Sequence, residues 1–139
     1  MGCPHLDDWA YVRWYPCHAG FAKLARRGLR EFAARCGFER RALDDIESAA
    51  GEALANAVEH GHHPEKGVTV KARALANGLA IEIHDSGPGF KGDLRTRNGH
   101  VLTPRGYGIR LMTTLMDAVE FADNGRCVRL TKYLEPPRL

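Results

Sequence analysis

In Glu52-Ala-Leu-Ala-Asn56-Ala-Val-Glu-His60 a carboxylate, an amide and an imidazole recur at four-residue intervals. Residues four apart stack on one face of an α-helix, so a helix here presents three polar groups of different chemistry in a row. A carboxylate at 52 could accept a proton from a hydroxyl nucleophile or from water, and the amide oxygen at 56 is a hard ligand suited to Mg²⁺. Two other stretches offer groups to a nucleotide. Asp85-Ser-Gly87-Pro-Gly89-Phe90 ends an apolar strand; its aspartate could read a purine amine, and its glycines allow positive φ and the close approach of a flat ring. Gly106-Tyr107-Gly108-Ile109 opens a helix, whose free N–H groups and dipole favour phosphate oxygens. Taken singly these are ordinary features: an exposed helix surface, a turn, glycines before a helix.

The elements that must position these groups follow from periodicity. Trp9 to Tyr15 alternates aromatic and smaller or charged residues, as an edge strand does, and Pro16 ends it. Phe21, Leu24, Ala25, Leu29, Phe32, Ala33 and Cys36 recur three and four apart until Gly37, which predicts an amphipathic helix. Its basic face, Lys23, Arg26, Arg27 and Arg30, reads as solvated surface. A second helix from about Arg41 to Glu59 carries Ile46, Ala50, Ala53 and Ala57 as a narrow apolar stripe, with Glu52 and Asn56 to one side, and stops at Gly61. Val68 to Ala74 and Leu79 to His84 alternate around the turn Asn77-Gly78, which predicts a hairpin delivering Asp85 into the glycine-rich turn. From Lys91 to Arg105 periodicity vanishes, as in a long flexible loop that could serve as a lid. A helix to about Asp117 then buries Ile109, Met112, Leu115 and Met116. A second hairpin joins Val119–Phe121 to Cys127–Tyr133 through Asn124-Gly125. Each hairpin has one apolar face to cover, so the fold class is α+β: a two-layer sandwich with helices on one face of a mixed or antiparallel sheet, the other face being more polar.

Composition narrows the class. A chain of 139 residues builds one compact domain, taken as 1–139, and no apolar run approaches a membrane span. A formal charge of +3 spread without a dense basic block argues against a direct nucleic-acid partner. Asp7, Asp8 and Arg13 interrupt any export signal, so the expected place is the cytoplasm. Cys3, Cys17, Cys36 and Cys127 lack paired zinc-site spacing and read as reduced thiols, and His60, His62 and His63 read as a solvated cluster at a helix end.

The order of the three polar segments decides between readings. Glu52-x3-Asn56, Asp85-x-Gly87-x-Gly89 and Gly106-x-Gly108 resemble the N, G1 and G2 boxes of the GHKL ATP-binding fold, shared by histidine kinases, type II topoisomerases, heat-shock chaperones and mismatch-repair proteins. Within it, Gly51-Glu-Ala-Leu-Ala-Asn-Ala-Val-Glu-His-Gly61, the leading strand and helix, and Val128-Arg-Leu-Thr-Lys-Tyr-Leu134 are similar to the bacterial anti-sigma-factor serine kinases. The resemblance implies ATP and Mg²⁺ as cofactors, Glu52 as general base, Asn56 as Mg²⁺ ligand and Asp85 as partner of the adenine amino group. Gly87 and Gly89 would shape the adenine pocket. Gly106, Tyr107, Gly108 and Ile109 would offer backbone to the phosphates, with Arg105 and His60 nearby and residues 91–105 as the ATP lid. It also implies phosphorylation of a serine on a small antagonist of the anti-anti-sigma (STAS) type, sequestration of a sigma factor or similar regulator, and a homodimer. With no apolar run of spanning length, no membrane partner is expected. The alternative is a module that binds ATP and partners without transferring phosphate.

Overall fold

The computed structural model describes residues 9–16, 20–60, 67–85 and 106–135. Strand β1 (Tyr11–Pro16) lies at one edge of a five-stranded sheet of order β1-β2-β3-β5-β4, formed with β2 (Gly67–Leu75), β3 (Gly78–Asp85), β4 (Ala118–Ala122) and β5 (Cys127–Tyr133). Every neighbouring pair is antiparallel. Helices α1 (Phe21–Arg35), α2 (Arg40–His60) and α3 (Gly106–Leu115) pack side by side with α2 in the middle.

Alternation in β1 turns Tyr11 and Tyr15 toward α1, where their rings lie 5.8 Å from Phe32 and Phe21 respectively. Val12 and Trp14 point the other way and stay exposed. In α1, Phe21, Ala25, Leu29 and Ala33 are buried. Leu24, expected in the same stripe, is 59% exposed: α1 is covered by α2 and the sheet, and Leu24 falls on the flank that neither reaches. Arg30 also departs from expectation. It crosses to α2 and pairs with Asp44 and Glu47, each at 2.8 Å, so the basic face of α1 helps to join two helices.

The expected stripe of α2 is buried throughout, and Ala49 and Leu54 join it. Alanines let α2 approach the sheet closely, against Val68, Val70, Leu79, Ile81, Ile83 and Leu130. Burying each such aliphatic side chain is worth about 1.5–3 kcal/mol. Met112 and Met116 close the core from the α3 side. Helix α3 stops at Leu115, short of the expected Asp117: Lys132 Nζ donates to the Leu115 carbonyl (2.6 Å), while the Asp117 N–H donates to Thr131 (2.9 Å) as the chain turns into β4. A cation at a helix C-terminus also complements its dipole.

The turns divide into one that matches its residues and one that does not. Between β4 and β5, a 3₁₀ turn at Asp123–Gly125 has positive φ at Asp123 (54°) and Gly125 (82°). In the β2–β3 hairpin Leu75 pairs with Gly78, so the turn residues are Ala76 and Asn77, not Asn77-Gly78. Neither Asn77 nor Gly78 is among the residues with positive φ. Gly78 is constrained instead by β5: a Cβ there would sit 2.2 Å from the Lys132 carbonyl oxygen.

The face of the sheet away from the helices carries Thr69, Lys71, Glu82, His84 and Arg129, the polar surface the alternation predicts. No described helix is long and apolar enough to cross a membrane. The expected loop at 91–105 and the glycine-rich turn after Asp85 lie outside the described residues.

Candidate active site

Glu52 and Asn56 stand one turn apart on α2, whose apolar stripe fixes the helix rotation and so turns their shared flank toward one end of the sheet. Asn56, Ala53 and Ala57 form one wall of a cleft there. Ile83 and Asp85 of β3 and Val128 of β5 line it from the sheet, and Phe121 and Gly125 complete its edge. Asp85 is held by its backbone, whose N–H donates to the Arg126 carbonyl at 2.8 Å. That bond ties the end of β3 to the turn containing Gly125.

Asn56 is only 7% exposed, and its Oδ1 is buried without a hydrogen-bond partner among the described residues. Leaving such an acceptor unsatisfied costs about 1–3 kcal/mol. A hard cation, or a donor on a bound molecule, is what this oxygen lacks, so the residue present fits a Mg²⁺ ligand.

Helix α3 meets α2 at Glu52. A Cβ on Gly108 would lie 2.5 Å from Glu52 Oε1, with the next atom, Glu52 Cδ, at 3.6 Å. The absent side chain at 108 therefore gives the Glu52 carboxylate its place. Because the obstructing atom ends a flexible side chain, Gly108→Ala should move the carboxylate without unfolding the protein. Alanine is a better helix former than glycine by up to about 1 kcal/mol. Thermal denaturation should show unchanged or slightly raised stability; a large loss would mean that the two helices cannot adjust.

Of the residues the sequence singles out, Asn56 and Asp85 line the cleft and Gly108 lies against Glu52. Ile109 packs against the hydrophobic core. His60 ends α2, and Gly106 and Tyr107 begin α3; the side chains of His60 and Tyr107 lie outside the described residues, as do Gly87, Gly89 and Arg105. So do Cys3 and Cys17, read as reduced thiols, and His62 and His63 of the histidine cluster. Among the described cysteines, Cys36 and Cys127 are free thiols. Phe121, Gly125 and Val128 were not anticipated as cleft residues. Alternation turns Phe121 and Val128 inward, but only the pairing of β5 beside β3 brings them next to Asp85.

A helix thus lies across an antiparallel sheet with its polar flank facing the end of a strand and the start of a glycine-led helix. Residues 19–132 match the family model of the histidine kinase-like ATPase domain, and the chain belongs to that family. It is 31% identical over 133 residues to the serine-protein kinase RsbW of Listeria innocua, spanning 86% of this chain and 83% of that protein. It is 32% identical over 136 residues to RsbW of Bacillus velezensis (89% of this chain, 85% of that one). To an anti-sigma F factor of Thermoanaerobacter sp. it is 32% identical over 121 residues (80% and 84%). Among solved structures, the RsbU and RsbW domains of Rv1364c from Mycobacterium tuberculosis share the fold with a TM-score of 0.62 at 22% identity; the match covers 92% of this chain and 34% of that one.

Proposed function

We propose that residues 1–139 form one serine-protein kinase domain of the anti-sigma type, which uses Mg·ATP to phosphorylate a small antagonist protein and holds a sigma factor or similar regulator by partner switching. The observation that carries the reading is the convergence of three distant segments: Asn56 and Asp85 on one cleft, with Gly108 against Glu52 beside it. The names of relatives about 30% identical over most of the chain, serine-protein kinase RsbW and anti-sigma F factor, support the same reading. A homodimeric state belongs to this proposal through the resemblance alone, and the cytoplasm through the sequence expectation given above.

In this reading Glu52 takes the proton of the attacking serine hydroxyl while the serine oxygen bonds to the terminal phosphorus and the bond from that phosphorus to ADP breaks. Asn56 Oδ1 would hold Mg²⁺, which when bound supplies positive charge to the phosphate oxygens. Asp85 accepts a hydrogen bond from the adenine amino group, with Gly87 and Gly89 shaping that pocket. The α3 N-terminus from Gly106 through Ile109 offers backbone N–H groups to the phosphates, assisted by Arg105 and His60. Gly108→Ala, which displaces the Glu52 carboxylate, should slow transfer more than it weakens ATP binding.

The test is to incubate the purified protein with Mg·ATP and a co-purifying antagonist and to look for phosphoserine by mass spectrometry. Phosphoserine on the antagonist supports the kinase; ATP binding without transfer to any antagonist would leave only a binding module. Asp85→Asn should weaken ATP binding about tenfold or more, since it replaces a charged acceptor with an amide that also presents donors. Equal wild-type affinity for ATP and GTP would defeat the adenine assignment.

A further inference from the structure

The face of the sheet away from the helices holds a group of side chains that phosphate transfer does not use. Alternation points Glu82 and His84 of β3 away from the helices, and the register sets Arg129 and Cys127 of β5 opposite them. Glu82 Oε1 lies 2.8 Å from His84 Nε2, and His84 Nε2 lies 3.6 Å from Cys127 Sγ. The carboxylate, imidazole and sulfur ligand atoms all lie within 4.8 Å of one another.

We propose that Glu82, His84 and Cys127 form a binding site for a zinc-class divalent cation, with water completing a tetrahedral shell. Zinc binds imidazole nitrogen at about 2.0–2.1 Å and thiolate sulfur at about 2.3 Å, which separates the two in a tetrahedron by roughly 3.5 Å. The nitrogen and sulfur here already stand at that separation, and the carboxylate oxygen reaches its corner through a side-chain adjustment on the order of 1 Å. Carboxylate, imidazole and thiolate together suit zinc better than magnesium or calcium, which favour oxygen alone.

The surroundings fit a site more closely than a bare ion pair requires. Arg129 donates through both Nε and Nη2 to Glu82 Oε2, which fixes the carboxylate's orientation with Oε1 turned toward His84. The His84 side chain is 35% exposed, which gives an ion a path in and room for a water ligand. Burial first, then the charges of Glu82 and Asp123, push the Cys127 thiol up to about 11 against the opposing effects of Arg129 and Lys71. Binding forms the metal–sulfur bond and releases the thiol proton. Glu120, paired with Arg129 across β4 and β5, adds a further negative charge nearby. Ile83, Asp85 and Val128, the chain neighbours of the three ligands, line the cleft on the opposite face. An ion here braces the two strands that carry them.

The experiment is to titrate the metal-stripped full chain with Co²⁺ and follow absorbance, then displace it with Zn²⁺. One equivalent should give a thiolate-to-cobalt charge-transfer band with tetrahedral d–d bands. Cys127→Ser should abolish the charge-transfer band, and Cys3→Ser, Cys17→Ser and Cys36→Ser should keep it. Absence of the band in the wild type, or its survival in Cys127→Ser, overturns the proposal. Should Cys127→Ser fail to fold by circular dichroism, His84→Gln decides: a tenfold or greater loss of Co²⁺ affinity supports the site, and unchanged affinity overturns it.

Discussion

Glu52→Ala is expected to leave ATP affinity within a few-fold of wild type and to slow phosphate transfer to the antagonist by about 10²–10⁴-fold, the usual contribution of a positioned general base. The reasoning separates binding from chemistry. Asn56 and Asp85 line the cleft proposed for the nucleotide, whereas the Glu52 carboxylate lies toward α3, against Gly108. A group that acts on the nucleophile in the transition state lowers the rate when removed and barely alters ground-state binding. Glu52→Gln keeps the volume and the packing against Gly108 but cannot accept the proton, so it should be nearly as slow. Calorimetric ATP titration and single-turnover phosphoserine formation measure the two quantities separately. Transfer that persists in both variants would place the base elsewhere; equal losses in affinity and rate would make Glu52 a nucleotide ligand.

The second large effect concerns stability. Gly78→Ala should lower stability by about 2–4 kcal/mol and the melting temperature by roughly 5–15 °C, because the new methyl meets backbone that cannot give way. A Cβ at 78 would lie 2.2 Å from the Lys132 oxygen and 2.9 Å from Tyr133 Cα, both on β5. Accommodating it means parting β3 from β5 where Gly78 pairs with Tyr133, close to the Leu134 N–H bond to the Asn77 carbonyl at 2.7 Å. Gly78→Asn distinguishes this cause from a turn requirement. Asparagine tolerates positive φ and serves in tight turns, so a turn glycine would accept it, while a glycine pressed against a neighbouring strand would not. Thermal denaturation within 2 °C of wild type for Asn, with Ala also mild, would show that β5 does not crowd this position.

This contrast marks where local pattern stops being informative. Asn77-Gly78 is a strong hairpin signal and a hairpin is there, yet the glycine answers to a strand more than fifty residues downstream. In the same way Leu24 has the right spacing for the α1 core and remains exposed, and Arg30 has the right spacing for solvent and pairs with Asp44 and Glu47. Spacing reports which face of an element is apolar, not what will be available to cover it.

The amino-acid order alone was enough for the three helices, the strands within a residue or two, the sandwich class, and the family. These depend on periodicity and on residue types that act within one turn or one hairpin, as Cys127–Tyr133 shows by matching β5 end to end. Tertiary structure alone decided the placement of β5 between β3 and β4, and with it the entry of Phe121, Gly125 and Val128 into the cleft, the crowding at Gly78, and the meeting of Glu82 and His84 with Cys127. Each of these needs two segments far apart in the chain to meet at one register. That choice is made by the burial of whole faces against one another, a sum over many residues that no short stretch encodes.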